Sequence, residues 1–162
     1  MKKIFKWIIG LIGIVVIVQQ VIKQNSNKGE KIEVEYIPKK IDKSWITPKS
    51  KLCFSEAMGC VSTWDEAKEI CSEYNASLPT IEELKKEVVY CKGEIGNSKD
   101  IYKKNMNNLT YYFCFQRNGF QSGNSYWSKT EVEGEVKVLH FDSAQINTRV
   151  KTQTYYVRCI KK

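Results

Sequence analysis

Histidine is almost absent from this chain of 162 residues, which contains only His140. A Ser-His-Asp or Cys-His catalytic arrangement would have to use that residue, and it lies in an alternating run that is typical of a strand. No Cys-x-x-C pair occurs, so a zinc site is not predicted. These absences argue against an enzyme, and no metal or other cofactor is expected.

Acidic residues are missing from the first 24 positions, which hold four of the lysines. The chain has 26 basic and 18 acidic residues, so without those four lysines 22 basic residues remain and the net charge falls from +8 to +4. Elsewhere lysines are mixed with acids, which is typical of a solvated surface. Nucleic acid is therefore not an expected partner. The length allows one globular domain and excludes a multidomain enzyme.

The amino-terminal segment predicts a membrane anchor. Lys2, Lys3 and Lys6 precede a wholly apolar run over 7–18, and the apolar character continues to Ile22. At about 1.5 Å per residue, the stretch 4–22 approaches the hydrocarbon thickness of about 30 Å. A small-x-small cleavage site is missing, so we expect residues 1–24 to be an uncleaved transmembrane signal anchor; a cleaved signal with an unusual site is the alternative.

The cysteines indicate the orientation. All six lie after position 50, and disulfides persist only outside the cytosol. The expected location is therefore the bacterial cytoplasmic membrane, crossed once, with the carboxy-terminal domain in the periplasm or at the cell surface. Residues 25–51 are polar and lysine-rich and are expected to form a tether, with a short strand at 32–36 where apolar and charged residues alternate. The domain is expected to cover 52–162.

Two helices are predicted at the start of this domain. Thr63 and Glu66 form a capping-box pattern that opens a helix over 64–74, and Asn75 is a suitable left-handed stop. Thr80 and Glu83 repeat the pattern and open a helix to about residue 89. Residues 91–109 are expected to be a loop with a short helical turn.

Strands are predicted after residue 109, where the apolar period changes to two. The candidate segments are 110–115, 126–130, 136–141, 146–151 and 154–160, separated by turns at Gly134 and at 142–145. Two helices followed by a run of antiparallel strands predict an α+β domain with a small antiparallel sheet.

Four short motifs carry a family resemblance. They are Trp64-x-x-Ala67-x-x-x-Cys71, Leu78-Pro79-Thr80-x-x-Glu83-Leu84, Tyr126-Trp127-Ser128-x-Thr130 and Val157-Arg158-Cys159. In this order they resemble a bacterial envelope domain of C-type-lectin-like fold, typified by the carboxy-terminal domain of the Legionella collagen-like adhesin. The resemblance covers 52–162. Ala76 and Ser77 stand where that family usually has Trp-Arg, and its glycine-rich centre is poorly matched, so no ligand-contacting loop is carried over.

The resemblance also bears on disulfides and calcium. Six cysteines permit 15 pairings, and spacing alone does not choose among them. Lectin-like folds join the first helix to the last strand, which implies Cys71 with Cys159. Cys53 with Cys60 and Cys91 with Cys114 is then the arrangement we favour. The Glu-Pro-Asn, Gln-Pro-Asp and Trp-Asn-Asp triplets of calcium-dependent lectins do not occur, so calcium-dependent sugar binding is not expected.

A candidate ligand site lies in the loops between about 93 and 125. Its polar and aromatic residues are Arg117, Asn118, Gln121, Asn124 and Tyr126. Trp127 has two interpretations, core packing or an aromatic platform for a ligand. Arg158 is expected on the opposite side of the sheet from its neighbours, either paired with an acid or binding an anion.

One further motif concerns modification. Asn75 has an acid at the second position before it and a serine at the second position after it, which resembles the extended acceptor of bacterial N-glycosylation. Its use as a helix stop explains the same residue, so both interpretations stay open.

The sequence therefore predicts a non-catalytic, membrane-anchored binding or adhesion module of the bacterial envelope, with a protein or glycan ligand. The first alternative is a structural accessory subunit of an envelope complex, in which Gly10 and Gly13 give the anchor a small-residue face. The second is an oxidase of the formylglycine-generating type, which shares a related fold and uses reactive cysteines.

Overall fold

The computed structural model describes residues 44–55 and 59–161. The predicted anchor over 1–24 and the predicted strand at 32–36 lie outside these residues. Within the described ranges, no helix is long and apolar enough to cross a membrane.

Four helices occur in this part of the chain: α1 (Trp64–Ser72), α2 (Ile81–Tyr90), α3 (Lys99–Met106) and α4 (Leu109–Arg117). The first two begin at the predicted capping boxes. The Thr63 backbone amide and hydroxyl both donate to the Glu66 carboxylate, at 3.0 and 2.7 Å, and Thr80 does the same with Glu83. Asn75 follows α1 with a φ of 51°, the left-handed conformation predicted for it.

The segment 110–115 is helical, so the predicted strand there is wrong. Asn108 caps α4 by accepting a hydrogen bond from the Tyr111 backbone amide at 3.0 Å. Tyr111, Cys114 and Phe115 are buried, which is the spacing of one helix face rather than of a strand. Aromatic residues favour strands intrinsically, but here the cap and the packing outweigh that preference. The short turn expected before it is instead the eight-residue helix α3, which Ser98 caps.

Seven strands are present in the described residues: β1 (Trp45–Ile46), β2 (Val61–Ser62), β3 (Ser125–Val132), β4 (Glu135–His140), β5 (Gln145–Arg149), β6 (Tyr155–Tyr156) and β7 (Cys159–Ile160). The larger sheet has the order β2-β6-β3-β4-β5, and β1 pairs with β7. All pairs are antiparallel except β3 with β6. The predicted strand 154–160 is thus divided between two sheets. The α+β class is confirmed.

Two buried clusters form the core. The first packs α2 and α4 against Phe120, Tyr126 and Phe141. The second packs α1 against Trp127, Val136 and Val138. Adjacent residues of β3 therefore serve different clusters, as the alternation of side chains along a strand requires. Trp127 is completely buried and donates from Nε1 to the Ser62 carbonyl at 2.9 Å, so its ring packs in the core and is not a ligand platform.

Three disulfides close all six cysteines, in the arrangement favoured above. Cys71 and Cys159 join α1 to β7 across 88 positions, the other two bridges being Cys53–Cys60 and Cys91–Cys114. No cysteine is free.

Residues 44–51, which were expected to belong to the tether, are packed on the domain. β1 pairs with β7, and Trp45 donates from Nε1 to the buried Glu87 carboxylate at 3.1 Å. The Tyr74 hydroxyl accepts from the Lys49 amide at 2.9 Å and donates to its carbonyl at 2.7 Å. The composition of this segment, which is rich in lysine, does not indicate that Trp45 packs on the domain.

Candidate binding site

The five predicted site residues lie around one loop, 118–124, between α4 and β3. Arg117 is the last residue of α4 and is exposed, as is Gln121. Asn118 and Asn124 are half-buried. Tyr126 is different, since only 2% of its surface is exposed. The structure therefore brings four of the five to an accessible or partly accessible position and places the fifth in the core.

Tyr126 supports the loop from below rather than offering its ring to a ligand. Its ring packs edge-on against Phe120 and Phe141, with centroids 5.2 and 5.4 Å away. Its hydroxyl accepts a hydrogen bond of 2.5 Å from the Gln121 backbone amide. Burial raises the pKa of Tyr126, so the phenol stays neutral. The prediction of ligand contact through this side chain is corrected to a positioning role.

Arg158 holds the beginning of the same loop. It is 5% exposed, and its guanidinium donates to the carbonyls of Gly119 and Asn118 at 3.1 and 3.3 Å, and to the Thr47 hydroxyl. Gly119 is required beneath it, because φ is +87° and an added Cβ would lie 2.7 Å from Nη1. Arg158, which precedes β7, thus holds both the start of the loop and Thr47, the residue that follows β1.

Arg158 was expected on the opposite side of the sheet from its neighbours in the chain. Its neighbours Val157 and Cys159 belong to the second cluster, whereas the guanidinium lies 4.9 Å from the ring centroid of Phe120 in the first. It faces the other side, as predicted, but that side is also buried. Burial lowers the pKa of Arg158, and the nearby Glu87 partly opposes this. Its guanidinium donates to neutral oxygens of Thr47, Gly119 and Asn118 and is shielded from solvent.

Asp142 fixes the second half of the loop. Its Oδ2 accepts from the Ser122 hydroxyl at 3.0 Å and from the Gly123 amide at 2.9 Å. The sequence indicated only a turn at 142–145, because the partner residues lie about 20 positions away. Asn124 accepts from the Ser125 amide at 2.8 Å, so its amide is partly occupied. With the backbone held in this way, Arg117 and Gln121 are presented on a preorganised loop, which reduces the entropy cost of binding.

A concave surface lies on the edge of the larger sheet, apart from the loop 118–124. This groove has a volume of about 630 Å³ and is lined by Gly96, Asn97, Lys137, Ile146, Asn147 and Thr148. The side-chain amide of Asn97 pairs with the edge strand β5 as the backbone of another strand would. Its Nδ2 donates to the Ile146 carbonyl at 2.8 Å, and its Oδ1 accepts from the Ile146 backbone amide at 3.0 Å. Lys137, Asn147 and Thr148 add an ammonium, an amide and a hydroxyl to the groove. Such groups suit a ligand rich in hydroxyls or carboxylates.

Sequence reasoning missed the groove because its residues come from a loop and two strands. Only Lys137 had a signal, a charged residue between Val136 and Val138 in a predicted strand. The outward position of Lys137 on β4, opposite Thr148 on β5, becomes visible only with the strand register.

His140 has a contact that resembles part of a catalytic arrangement, but it cannot act as one here. Its Nδ1 lies 3.3 Å from the Ser143 hydroxyl. Ser143 is 1% exposed, so a substrate carbonyl cannot reach it. No group of three or more histidine, cysteine or acidic residues that could hold a metal occurs in the ranges 44–55 and 59–161.

Comparison with known proteins found no family model and no curated protein that matches this chain. The resemblance to lectin-like envelope domains therefore stays a prediction.

Proposed function

We propose that this chain is a membrane-anchored, non-catalytic binding or adhesion module of the bacterial envelope, with its domain outside the cytosol and a protein or glycan as ligand. The observation that carries the proposal is the closure of all six cysteines in three disulfides. Such bridges form and persist in oxidising compartments. The lysine-flanked apolar stretch over 7–18 supplies the anchor in the sequence.

The fold also supports a lectin-like scaffold. The first and last strands of the domain pair with each other, and the Cys71–Cys159 bridge joins the first helix to the last strand. Both features accord with the resemblance carried by the four motifs. A scaffold with its ends tied together holds its loops rigidly, which suits binding through loops.

A binding role accounts for the accessible groups better than an oxidase does. An oxidase of the formylglycine-generating type needs a reactive thiolate, and every cysteine is in a bridge. The groove beside Lys137 and the loop presenting Arg117 and Gln121 instead offer polar groups on a fixed backbone. A glycan or a polar peptide fits this chemistry.

The location is tested by alkylating free thiols in cells quenched with acid, before and after reduction. We expect no modified cysteine without reductant and six after it, read as mass shifts of the intact protein. Reduced and unlinked Cys71 and Cys159 in the native protein would contradict both the location and the scaffold.

The binding role is tested by screening the full chain, in detergent, against peptidoglycan fragments and glycan and peptide arrays. For the ligand found, we expect either the groove pair Lys137→Met with Asn147→Ala or the loop pair Arg117→Ala with Gln121→Ala to weaken affinity at least about tenfold, since one charged hydrogen bond contributes about 1.5 to 3 kcal/mol. Lys99→Met, on the exposed side of α3, is the matched control and should bind normally.

Two observations together would overturn the binding role. The screen would find no ligand, and the protein would co-purify stably with an envelope complex, an association that is lost when the anchor is exchanged. The accessory-subunit alternative would then be the better description.

A further inference from the structure

Two Asn-x-Ser/Thr triplets occur in the part of the chain that is described, Asn75-Ala76-Ser77 and Asn108-Leu109-Thr110. In proteins outside the cytosol such triplets are acceptors for N-linked glycans when they lie on the surface. The two asparagines have very different surroundings, so the structure distinguishes between them.

The side-chain amide of Asn108 is hydrogen-bonded at both its oxygen and its nitrogen. Its Oδ1 accepts from the Tyr111 amide at 3.0 Å as the cap of α4, and its Nδ2 donates to the Lys92 carbonyl at 3.1 Å. An N-glycosidic bond replaces one of the two hydrogens on Nδ2, so a sugar here must use the hydrogen that does not donate to Lys92. The residue two positions earlier is Met106, which is not acidic. The partners of Asn108 lie 3 and 16 positions away, so this cap forms as soon as its own neighbourhood folds.

The side-chain amide of Asn75 has no hydrogen bond to any described residue and is exposed, whereas the backbone amide donates to the Ser72 carbonyl at 3.0 Å. The backbone around it is fixed on both sides. Before it, α1 ends with the Ala76 amide donating to the Cys71 carbonyl at 3.1 Å; after it, Ser77 exchanges two backbone hydrogen bonds with Ile160, at 3.1 and 2.8 Å. Asn75 itself adopts a φ of 51° at the tip of this turn. Glu73, two positions earlier, is exposed as well.

The order of synthesis also favours Asn75. The strand that pins Ser77 is β7, which is the last strand of the chain and is held by the Cys71–Cys159 bridge. Until Ile160 emerges and docks, the triplet at Asn75 is an open segment. Domains fold as their residues become available during synthesis, so this triplet stays accessible longer than its local surroundings suggest.

We propose that Asn75, and not Asn108, is an N-glycosylation site of this protein. The donor class is an oligosaccharide linked to a polyprenyl pyrophosphate, used by a membrane oligosaccharyltransferase. The Nδ2 atom attacks the anomeric carbon, the carbon–nitrogen bond forms, and the bond from that carbon to the phosphate oxygen breaks. The lipid pyrophosphate leaves with the electron pair, and Nδ2 loses one proton. The inference rests on the proposed extracytoplasmic location, where this transfer takes place.

The test uses the full chain, expressed in bacteria together with an oligosaccharyltransferase that favours acidic acceptors and its lipid-linked oligosaccharide. Intact mass and sequenced glycopeptides give the occupancy of each triplet, and thiol alkylation of the same sample gives the oxidation state of the cysteines. We expect one glycan, on Asn75. Occupancy should vanish in Asn75→Gln and in Asn75→Gly, which tolerates the positive φ, and should be unchanged in Asn108→Gln and in Ser77→Thr. Glu73→Gln should reduce it at least tenfold.

Three results would overturn the inference. A glycan on Asn108 with Asn75 unmodified contradicts the structural distinction. An unmodified chain with oxidised cysteines, in cells where a reference acceptor is modified, refutes the site but not the location. An unmodified chain with reduced cysteines refutes the location and the site together.

Discussion

Removal of the Cys71–Cys159 bridge gives the sharpest test of how this domain is stabilised. The double substitution Cys71→Ala and Cys159→Ala separates α1 from β7, and both cysteines are completely buried. β7 also pairs with β1 and forms an isolated β-bridge with Ser77. The disulfide, the β1 pairing and this β-bridge therefore all depend on the position of β7. The bridge acts mainly on the unfolded chain, because it closes a loop that would otherwise be open.

The magnitude follows from the length of that loop. For a separation of 88 positions the chain-entropy relation gives about 4.6 kcal/mol, and the nested Cys91–Cys114 bridge, by shortening the loop, lowers this to about 4.3 kcal/mol. The Cys53–Cys60 bridge spans 7 positions, for which the same relation gives about 2.4 kcal/mol. Against a typical domain stability of about 5 to 15 kcal/mol, the first loss threatens the fold and the second does not.

The assay is urea unfolding of the oxidised wild type and the two double-alanine variants, followed by tryptophan fluorescence. We expect the Cys71/Cys159 variant to lose about 2 kcal/mol more than the Cys53/Cys60 variant. Since Cys71 and Cys159 are both completely buried, loss of their packing can only increase the difference. A smaller loss in the Cys71/Cys159 variant than in its matched control would refute the reasoning from loop length.

Three further predictions concern single side chains. Trp127→Ala should lower the free energy of unfolding by about 3 to 5 kcal/mol in urea titrations, whereas Trp127→Phe should retain ligand affinity; selective loss of binding at unchanged stability would restore the ligand-platform interpretation. Asn97→Ala leaves the Ile146 amide and carbonyl unpaired on the β5 edge, so sedimentation should show concentration-dependent self-association, and a variant that stays monomeric would contradict this. Hydrogen bonds from Thr63 lower the pKa of Glu66 below its ordinary 4.5, so their contribution to stability is complete above that pH and is lost as the pH falls through the lowered value. Glu66→Gln should therefore flatten the decline in stability between about pH 5 and pH 3, and a decline as steep as in the wild type would exclude this carboxylate as its source.

The predictable parts of the fold are those with a local chemical signal. Thr63 and Thr80 open α1 and α2 because each is followed by a glutamate at the capping position, a pattern of four adjacent residues. β4 was predictable because the buried residues Val136 and Val138 alternate with Lys137 along it. The helix α4 was missed because its aromatic residues suit strands, while its helical conformation depends on the Asn108 cap and on Tyr111 facing the core. That competition is decided by tertiary packing, which a local pattern does not contain.

The candidate site shows the same limit in a functional setting. Choosing polar and aromatic residues near a strand end selected residues that lie around one loop but could not separate exposed side chains from those that support the loop. Tyr126 is buried beneath the loop and supports it. The other two residues that hold the loop, Arg158 and Asp142, lie far along the chain. Of the five predicted residues, Arg117 and Gln121 are the exposed ones. A ligand search should therefore begin with the side chains that folding leaves exposed rather than with those that the sequence makes conspicuous.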